Sequence, residues 1–287
     1  MKFTKLHGLG NDYVYVNCFE EPLDGVDLPE LARRVSDRHF GIGGDGLILI
    51  MPSDKADFRM RVFNNDGSEA KNCGNGLRCV SKYVYDHALT DNQSFSIETL
   101  GGIVFPVVHV GDDSKVVTVT IDMGEPRFNC TDIPMATRTA PQFIEQLFEV
   151  EGRAFTMTSL SMGNPHAVLF VDEVRGEDVH KLGPIIEHHP LFPERTNVEF
   201  IKVLDPKHIQ FRVWERGSGE TLACGTGACA AAVAAIQSGQ TERNVTIHLL
   251  GGDLHIEWRE ADNHVYMTGS ATEVFTGVYG GEIPKLA

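Results

Sequence analysis

Cys73-Gly74-Asn75-Gly76 recurs as Cys224-Gly225-Thr226-Gly227, 151 positions further along the chain. The neighbourhood recurs with it. Arg61-Val62-Phe63-Asn64 resembles Arg212-Val213-Trp214-Glu215, and each run leads to a Gly-Ser pair (Gly67-Ser68, Gly217-Ser218) and then a glutamate, Glu69 or Glu220. Downstream, Ile97-Glu98-Thr99-Leu100-Gly101-Gly102 matches Ile247-His248-Leu249-Leu250-Gly251-Gly252; upstream, Leu9-Gly10-Asn11 matches Met162-Gly163-Asn164. Matches in one order at nearly one offset mark a diverged internal duplication. The expected architecture is an α/β fold of the mixed α+β kind, with two pseudo-symmetric domains. Each domain is a curved, barrel-like β layer around a central buried helix, with the active site at the domain interface. We expect the first domain to span residues 1–119, completed by a C-terminal strand in 271–287, and the second to span 120–270.

Secondary structure follows from period and composition. Residues 13–16, 47–51, 58–62 and 116–121 read as strands in the first half, and 166–171, 199–203 and 209–214 in the second. Asp27, Pro29 and Glu30 mark a helix start. Phe143, Ile144, Leu147 and Phe148 predict a short amphipathic helix. Helices are expected from about Gly76 to His87 and from about Gly227 to Gln237. The second is alanine and valine almost throughout, and a helix apolar on all sides is a buried one.

Composition excludes several classes. The 287 residues are 42% hydrophobic and 23% charged, enough for a packed core. A net charge of −15 repels phosphate backbones, so nucleic acid is a poor partner. No apolar run reaches membrane-spanning length, and Met1-Lys2-Phe3-Thr4-Lys5 does not begin a signal peptide. Six cysteines in this length are not a disulfide scaffold, and a reducing cytoplasm is the expected location. Gly41-Ile42-Gly43-Gly44-Asp45-Gly46 has dinucleotide-loop spacing, but a helix precedes it and a strand follows, the reverse of what that loop requires. Cys224 and Cys229 lack the further ligands a metal site needs. Cys79 and Cys229 read as ordinary buried helix cysteines.

Cys73 and Cys224 differ because each opens a Cys-Gly-x-Gly turn into a helix. Glycines there let backbone N–H groups approach a ligand. A helix N-terminus offers unpaired donors and partial positive charge, which favours a thiolate and binds a carboxylate. Two such ends, each with a thiol, suit inversion of a stereocentre: one sulfur removes a proton from one face and the other delivers one to the opposite face. Donors at both helix ends can stabilise the charge gathered on a carboxylate, so the reaction needs no cofactor and no metal.

Several further stretches complete the pattern: His7-Gly8-Leu9-Gly10-Asn11-Asp12, Asn64-Asn65-Asp66-Gly67-Ser68-Glu69, Ser161-Met162-Gly163-Asn164-Pro165-His166, Glu194-Arg195-Thr196-Asn197-Val198 and Glu215-Arg216-Gly217-Ser218-Gly219-Glu220-Thr221. With the cysteine turns, they resemble the diaminopimelate epimerase family over essentially the whole chain. That resemblance implies reversible conversion of LL- to meso-2,6-diaminopimelate, in lysine and peptidoglycan precursor synthesis, by a homodimer whose domains close over the substrate. It implies that Cys73 and Cys224 are the catalytic pair and that Gly74-Asn75 and Gly225-Thr226 hold the reacting carboxylate. Asn11, Asn64, Asn164, Asn197, Glu215 and Arg216 would hold the rest of the substrate, with His166 and Glu215 tuning or ordering the site. Gly46 departs from the family, where many members have glutamine, so no side-chain contact is expected there. The rival readings are a two-cysteine racemase for a simpler amino acid, such as proline, and a two-lobed binding module. The first would not need Asn197 and Arg216 as well as both helix ends. The second would need no thiols.

Overall fold

Leu9 and Gly10 both adopt positive φ, 55° and 88°. A two-residue loop of that kind matches the twist of the strands it joins. It pairs Lys2–Gly8 with Asn11–Asn17 in antiparallel register, Gly8 opposite Asn11. The computed structural model describes residues 1–71, 73–137 and 141–286. They form two units: Met1–Ile121 with Gly269–Ala287, and Asp122–Thr268.

In the first unit the sheet runs Thr272–Val278, Lys2–Gly8, Asn11–Asn17, Gly46–Met51, Phe58–Asn64, Ile97–Thr99, Gly102–Val104. Two neighbours are parallel, and each of these connections carries a helix: α1 (Leu28–Ser36) between Asn11–Asn17 and Gly46–Met51, and α2 (Gly74–Asp86) between Phe58–Asn64 and Ile97–Thr99. Asp27 caps α1 by accepting the Glu30 N–H at 3.1 Å, and Pro29 lies in its first turn. One face of α1, Leu31, Ala32 and Val35, packs on Val14, Val16, Leu47, Leu49 and Phe63.

The second unit repeats this plan. Arg153–Ser161 pairs antiparallel with Pro165–Phe170, and α3 (Gly176–Glu187) leads to the parallel strand Asn197–Asp205. His208–Glu215 returns antiparallel, and α4 (Gly225–Gln237) leads to the parallel strand Asn244–Leu249, which Gly252–Trp258 closes. Each half is therefore hairpin, helix, hairpin, helix, hairpin, and the duplication reaches well beyond the matched residues. Helix α4 is buried from Gly227 to Ala235. Its alanines make it thin enough for the surrounding strands to close on it from every side.

Two elements differ from the reading of the sequence. Residues 143–148 do not form a helix; Gln146–Val150 is a strand paired antiparallel with Arg153–Ser161. Phe148 and Val150 point inward while Leu147 and Glu149 are exposed, a period of two. The turn Glu151-Gly152, both at positive φ, fixes this hairpin. Helix α3 was not expected at all. Its glycines and internal Pro184 hide its period, and Arg175 provides no side-chain cap. Burial of Val179, Leu182 and Ile186 against Phe155, Met157, Leu169 and Phe200 overrides that weak local preference.

Candidate active site

Each cysteine of the repeated turn is the N-cap of its helix, with extended backbone (φ −149° at Cys73, −120° at Cys224). Helices α2 and α4 thus start two residues before the expected positions, and the glycines form their first turns. In the first unit the Cys73 Sγ accepts the Gly76 N–H at 3.3 Å and lies 3.8 Å from Asn11 Oδ1. Asn11 Oδ1 also accepts from Asn75 Nδ2 at 3.2 Å. Behind Asn11, its Nδ2 donates to Asp45 at 2.7 Å, and Arg38 bridges Asp45 and Asp12. Behind Asn75, the fully buried Arg78 donates to its Oδ1 at 2.9 Å and to the Ser270 carbonyl at 3.1 Å. Cys73, Asn11, Gly74 and Asn75 therefore form one group.

Asn64 lies outside that hydrogen-bonded group. Its Nδ2 donates to Ser68 within the turn that ends Phe58–Asn64. Across the sheet it faces Gly46. A Cβ at Gly46 would lie 2.0 Å from the Phe63 carbonyl oxygen, so this backbone admits no side chain where many family members have glutamine.

In the second unit Cys224 Sγ lies 3.6 Å from the Thr226 hydroxyl, and Thr226 accepts from Asn164 Nδ2 at 3.2 Å. Asn164 Oδ1 is 3.0 Å from His166 Nε2, and His166 Nδ1 is 2.6 Å from Glu199. Asn197 ties two segments together: its Nδ2 donates to the Pro165 carbonyl and its Oδ1 accepts the Arg216 N–H, both at 2.9 Å. The Arg216 side chain is exposed and donates to the Glu194 carbonyl at 3.1 Å. Glu215 accepts from the Thr221 hydroxyl. Gly225 and Gly227 flank Thr226 in the first turn of α4. A Cβ at Gly227 would lie 2.9 Å from Glu199 Oε1 and 3.2 Å from Cys224 Sγ, so only glycine lets the turn sit against both.

The two thiols are not in equal surroundings. A helix terminus favours the thiolate at either cysteine. At Cys224, burial and then the charge of Glu215 outweigh this, and its thiol is held well above the ordinary range. The Thr226 hydroxyl and the Gly227 N–H oppose that shift. Burial also pushes Cys79 up, to about 12, as expected for a core cysteine.

Four groups escaped the reading of the sequence. Tyr13 is a buried phenol whose pKa is raised by burial and by neighbouring Cys73 and Asp45. Asp45 lies in the glycine-rich stretch Gly41–Gly46. Arg78 is a buried cation on α2. Glu199 interrupts the apolar run Val198-Glu199-Phe200-Ile201, and a carboxylate inside a buried parallel strand was the available signal.

The profile of the family described as diaminopimelate epimerase matches residues 3–129 and 158–274. The chain belongs to the diaminopimelate epimerase family. Among relatives, the diaminopimelate epimerase of Acetivibrio thermocellus is 55% identical over 282 residues, covering 96% of this chain and 98% of its own. That of Moorella thermoacetica is 54% identical over 277 residues, with the same coverage. Among solved structures, a hydroxyproline epimerase from Agrobacterium vitis has a TM-score of 0.68 at 14% identity, covering 97% of this chain and 91% of its own. A phenazine biosynthesis protein from Bacillus anthracis has a TM-score of 0.67 at 15% identity, covering 96% and 98%. These remote likenesses establish the pseudo-symmetric two-domain fold.

Proposed function

We propose that this chain interconverts LL- and meso-2,6-diaminopimelate by moving one α-proton through a thiol and a thiolate. The observation that carries this reading is the duplicated cysteine N-cap, within a chain more than half identical to relatives bearing the diaminopimelate epimerase name over nearly their full length. Cys73 and Cys224 are the proton-transferring pair. Cys224 begins as the thiol, because burial and the neighbouring charge of Glu215 disfavour its anion. Cys73, whose sulfur accepts a helix N-terminal N–H and faces Asn11 Oδ1 as an acceptor for its own hydrogen, is assigned the role of base on release of that hydrogen.

The α-proton of an amino acid is a weak acid, and its removal is aided by any donor aimed at the carboxylate that gathers the charge. The backbone N–H groups of Gly74-Asn75 and Gly225-Thr226 lie in the first turns of α2 and α4, where a helix end directs its donors, and are suited to that task. They do the work for which other racemases recruit an electron-accepting cofactor. Asn11, Asn64, Asn164, Asn197 and Glu215 supply donors and acceptors for the ammonium and carboxylate groups of the substrate. Arg216, exposed and forked, suits the distal carboxylate. His166 orders Asn164. The enzyme works in the cytoplasm as a homodimer on a small-molecule substrate, and no helix of the described residues is long and apolar enough to cross a membrane.

Incubation with LL-diaminopimelate in heavy water tests the reading. The meso product should carry deuterium at the inverted carbon. LL substrate recovered early should carry almost none, because its own base returns the original proton. Fast deuteration of recovered LL substrate would point to a single exchanging base, and absence of meso product would remove the substrate assignment.

A further inference from the structure

We propose that Glu199 is a positioning residue for the reaction: through His166 it sets the direction of a hydrogen-bond chain that ends on the Cys224 sulfur. The proposal rests on the two-cysteine reading above and extends it to a group outside the set assigned there.

The direction follows from which atoms can donate. Asn164 Oδ1 can only accept, so His166 Nε2, 3.0 Å away, carries a hydrogen. Asn164 Nδ2 can only donate, so the Thr226 oxygen, 3.2 Å away, accepts. The hydroxyl hydrogen of Thr226 is then left for Cys224 Sγ at 3.6 Å, where it favours the thiolate. A neutral imidazole with its hydrogen on Nε2 has a bare Nδ1, which needs a donor. The atom facing Nδ1, at 2.6 Å, is Glu199 Oε1. Glu199 can fill that role only as the carboxylic acid.

Its surroundings favour the acid. Glu199 and His166 are both fully buried, and among the described residues Glu199 Oε2 has no hydrogen-bond partner. A carboxylate would leave that oxygen charged and unsolvated. Burial raises the Glu199 pKa, opposed by His166 and reinforced by the charge of Glu215. The titratable groups bearing on this cluster are thus His166, Glu199, Glu215 and Cys224 itself, carried on Pro165–Phe170, Asn197–Asp205, His208–Glu215 and the start of α4. Without a donor at Nδ1 the imidazole hydrogen can move there. The Asn164 amide then turns over, and Thr226 donates to Asn164 rather than to sulfur.

The other half of the duplication provides an internal control. Asn11, the counterpart of Asn164, is held by Asp45, a partly exposed carboxylate, with no histidine between them. Changes at Glu199 should therefore reach Cys224 and spare Cys73.

The test measures the iodoacetamide alkylation rate of each cysteine in the full-length folded protein, by peptide mass spectrometry across pH. It needs no turnover, so it stands or falls separately from the substrate assignment. Glu199→Leu removes the donor and Thr226→Val removes the last link. Each should slow Cys224 alkylation about tenfold at a fixed pH below its midpoint, and leave Cys73 within twofold of wild type. Glu199→Gln should restore the wild-type profile, since its amide can donate to Nδ1. An unmoved Cys224 rate in Thr226→Val or in folded Glu199→Leu overturns the proposal. So does a slowing in Glu199→Gln as large as in Glu199→Leu, which would make the charge, and not the donated hydrogen, the active element. If Glu199→Leu does not fold by circular dichroism, Glu199→Met, close to glutamate in length and likewise without a hydrogen to donate, takes its place in both comparisons.

Discussion

Cys73→Ala and Cys224→Ala should each reduce epimerisation of LL-diaminopimelate by at least about a thousandfold, since each removes a group that carries the proton on one face. Cys79→Ala and Cys229→Ala, one or two turns further into the same helices, should leave the chemistry in place. Both side chains are completely buried and serve as packing atoms. The comparison controls for general loss of a thiol, because all four cysteines lie on or at the cap of α2 or α4. Chiral chromatography of the product gives the readout. A Cys73→Ala or Cys224→Ala variant retaining a tenth of wild-type turnover would sink the two-thiol mechanism.

Arg78→Leu should destabilise the first unit by about 3 kcal/mol or more. The guanidinium is wholly buried, and its removal strands two buried acceptors, the Ser270 carbonyl and the Asn75 amide oxygen. Leucine is also shorter and leaves space beside Gly8, where Arg78 now reaches. A loss of that size lowers Tm by roughly 10 °C in a unit of this length. Asn75 would also lose Arg78 as the partner on its Oδ1 side, which loosens one of the contacts that hold Asn11 beside Cys73. Calorimetry checks the first effect. A variant melting within a degree or two of wild type would mean that water or a rearranged side chain satisfies both acceptors.

The fold class was legible because the duplication is written in turn residues. Leu9-Gly10 and Met162-Gly163 precede the paired asparagines, and Gly10 and Gly163 both require positive φ. Such positions change little while the core around them diverges. The apolar run from Ala228 to Ala235 likewise announced a central helix. What stayed hidden depends on contacts made far along the chain. Gln146–Val150 has the composition of a helix and becomes a strand because a tight turn offers it a partner. Helix α3 has poor local signals and forms because its apolar face meets a core.

The same contrast applies to the candidate site. Cysteines, asparagines and glycines at turns are visible because the turn places them. Glu199, Tyr13, Asp45 and Arg78 are polar residues whose inward direction is set by sheet register and helix docking. Nothing adjacent to them in the sequence states that direction. The repeated motif makes the two cysteines look alike and leaves open which is the thiolate, because the depth of Cys224 and its neighbour Glu215 are not written beside it in the sequence.

The strand Thr272–Val278 completes the sheet of the first unit by pairing with Lys2–Gly8, and the Met1 ammonium donates to the Tyr279 carbonyl at 3.1 Å. The second unit is built from one uninterrupted stretch of chain. All strands of the second unit's own stretch precede residue 271, whereas the first unit needs segments from both sides of that stretch, so loss of Thr272–Val278 leaves only the first unit incomplete. A fragment of residues 1–270, released and free in solution, should show protease protection of the second unit only. The half that is written first in the sequence is thus the half that must wait for the last strand, and without that strand the edge at Lys2–Gly8 is open to pairing with another chain.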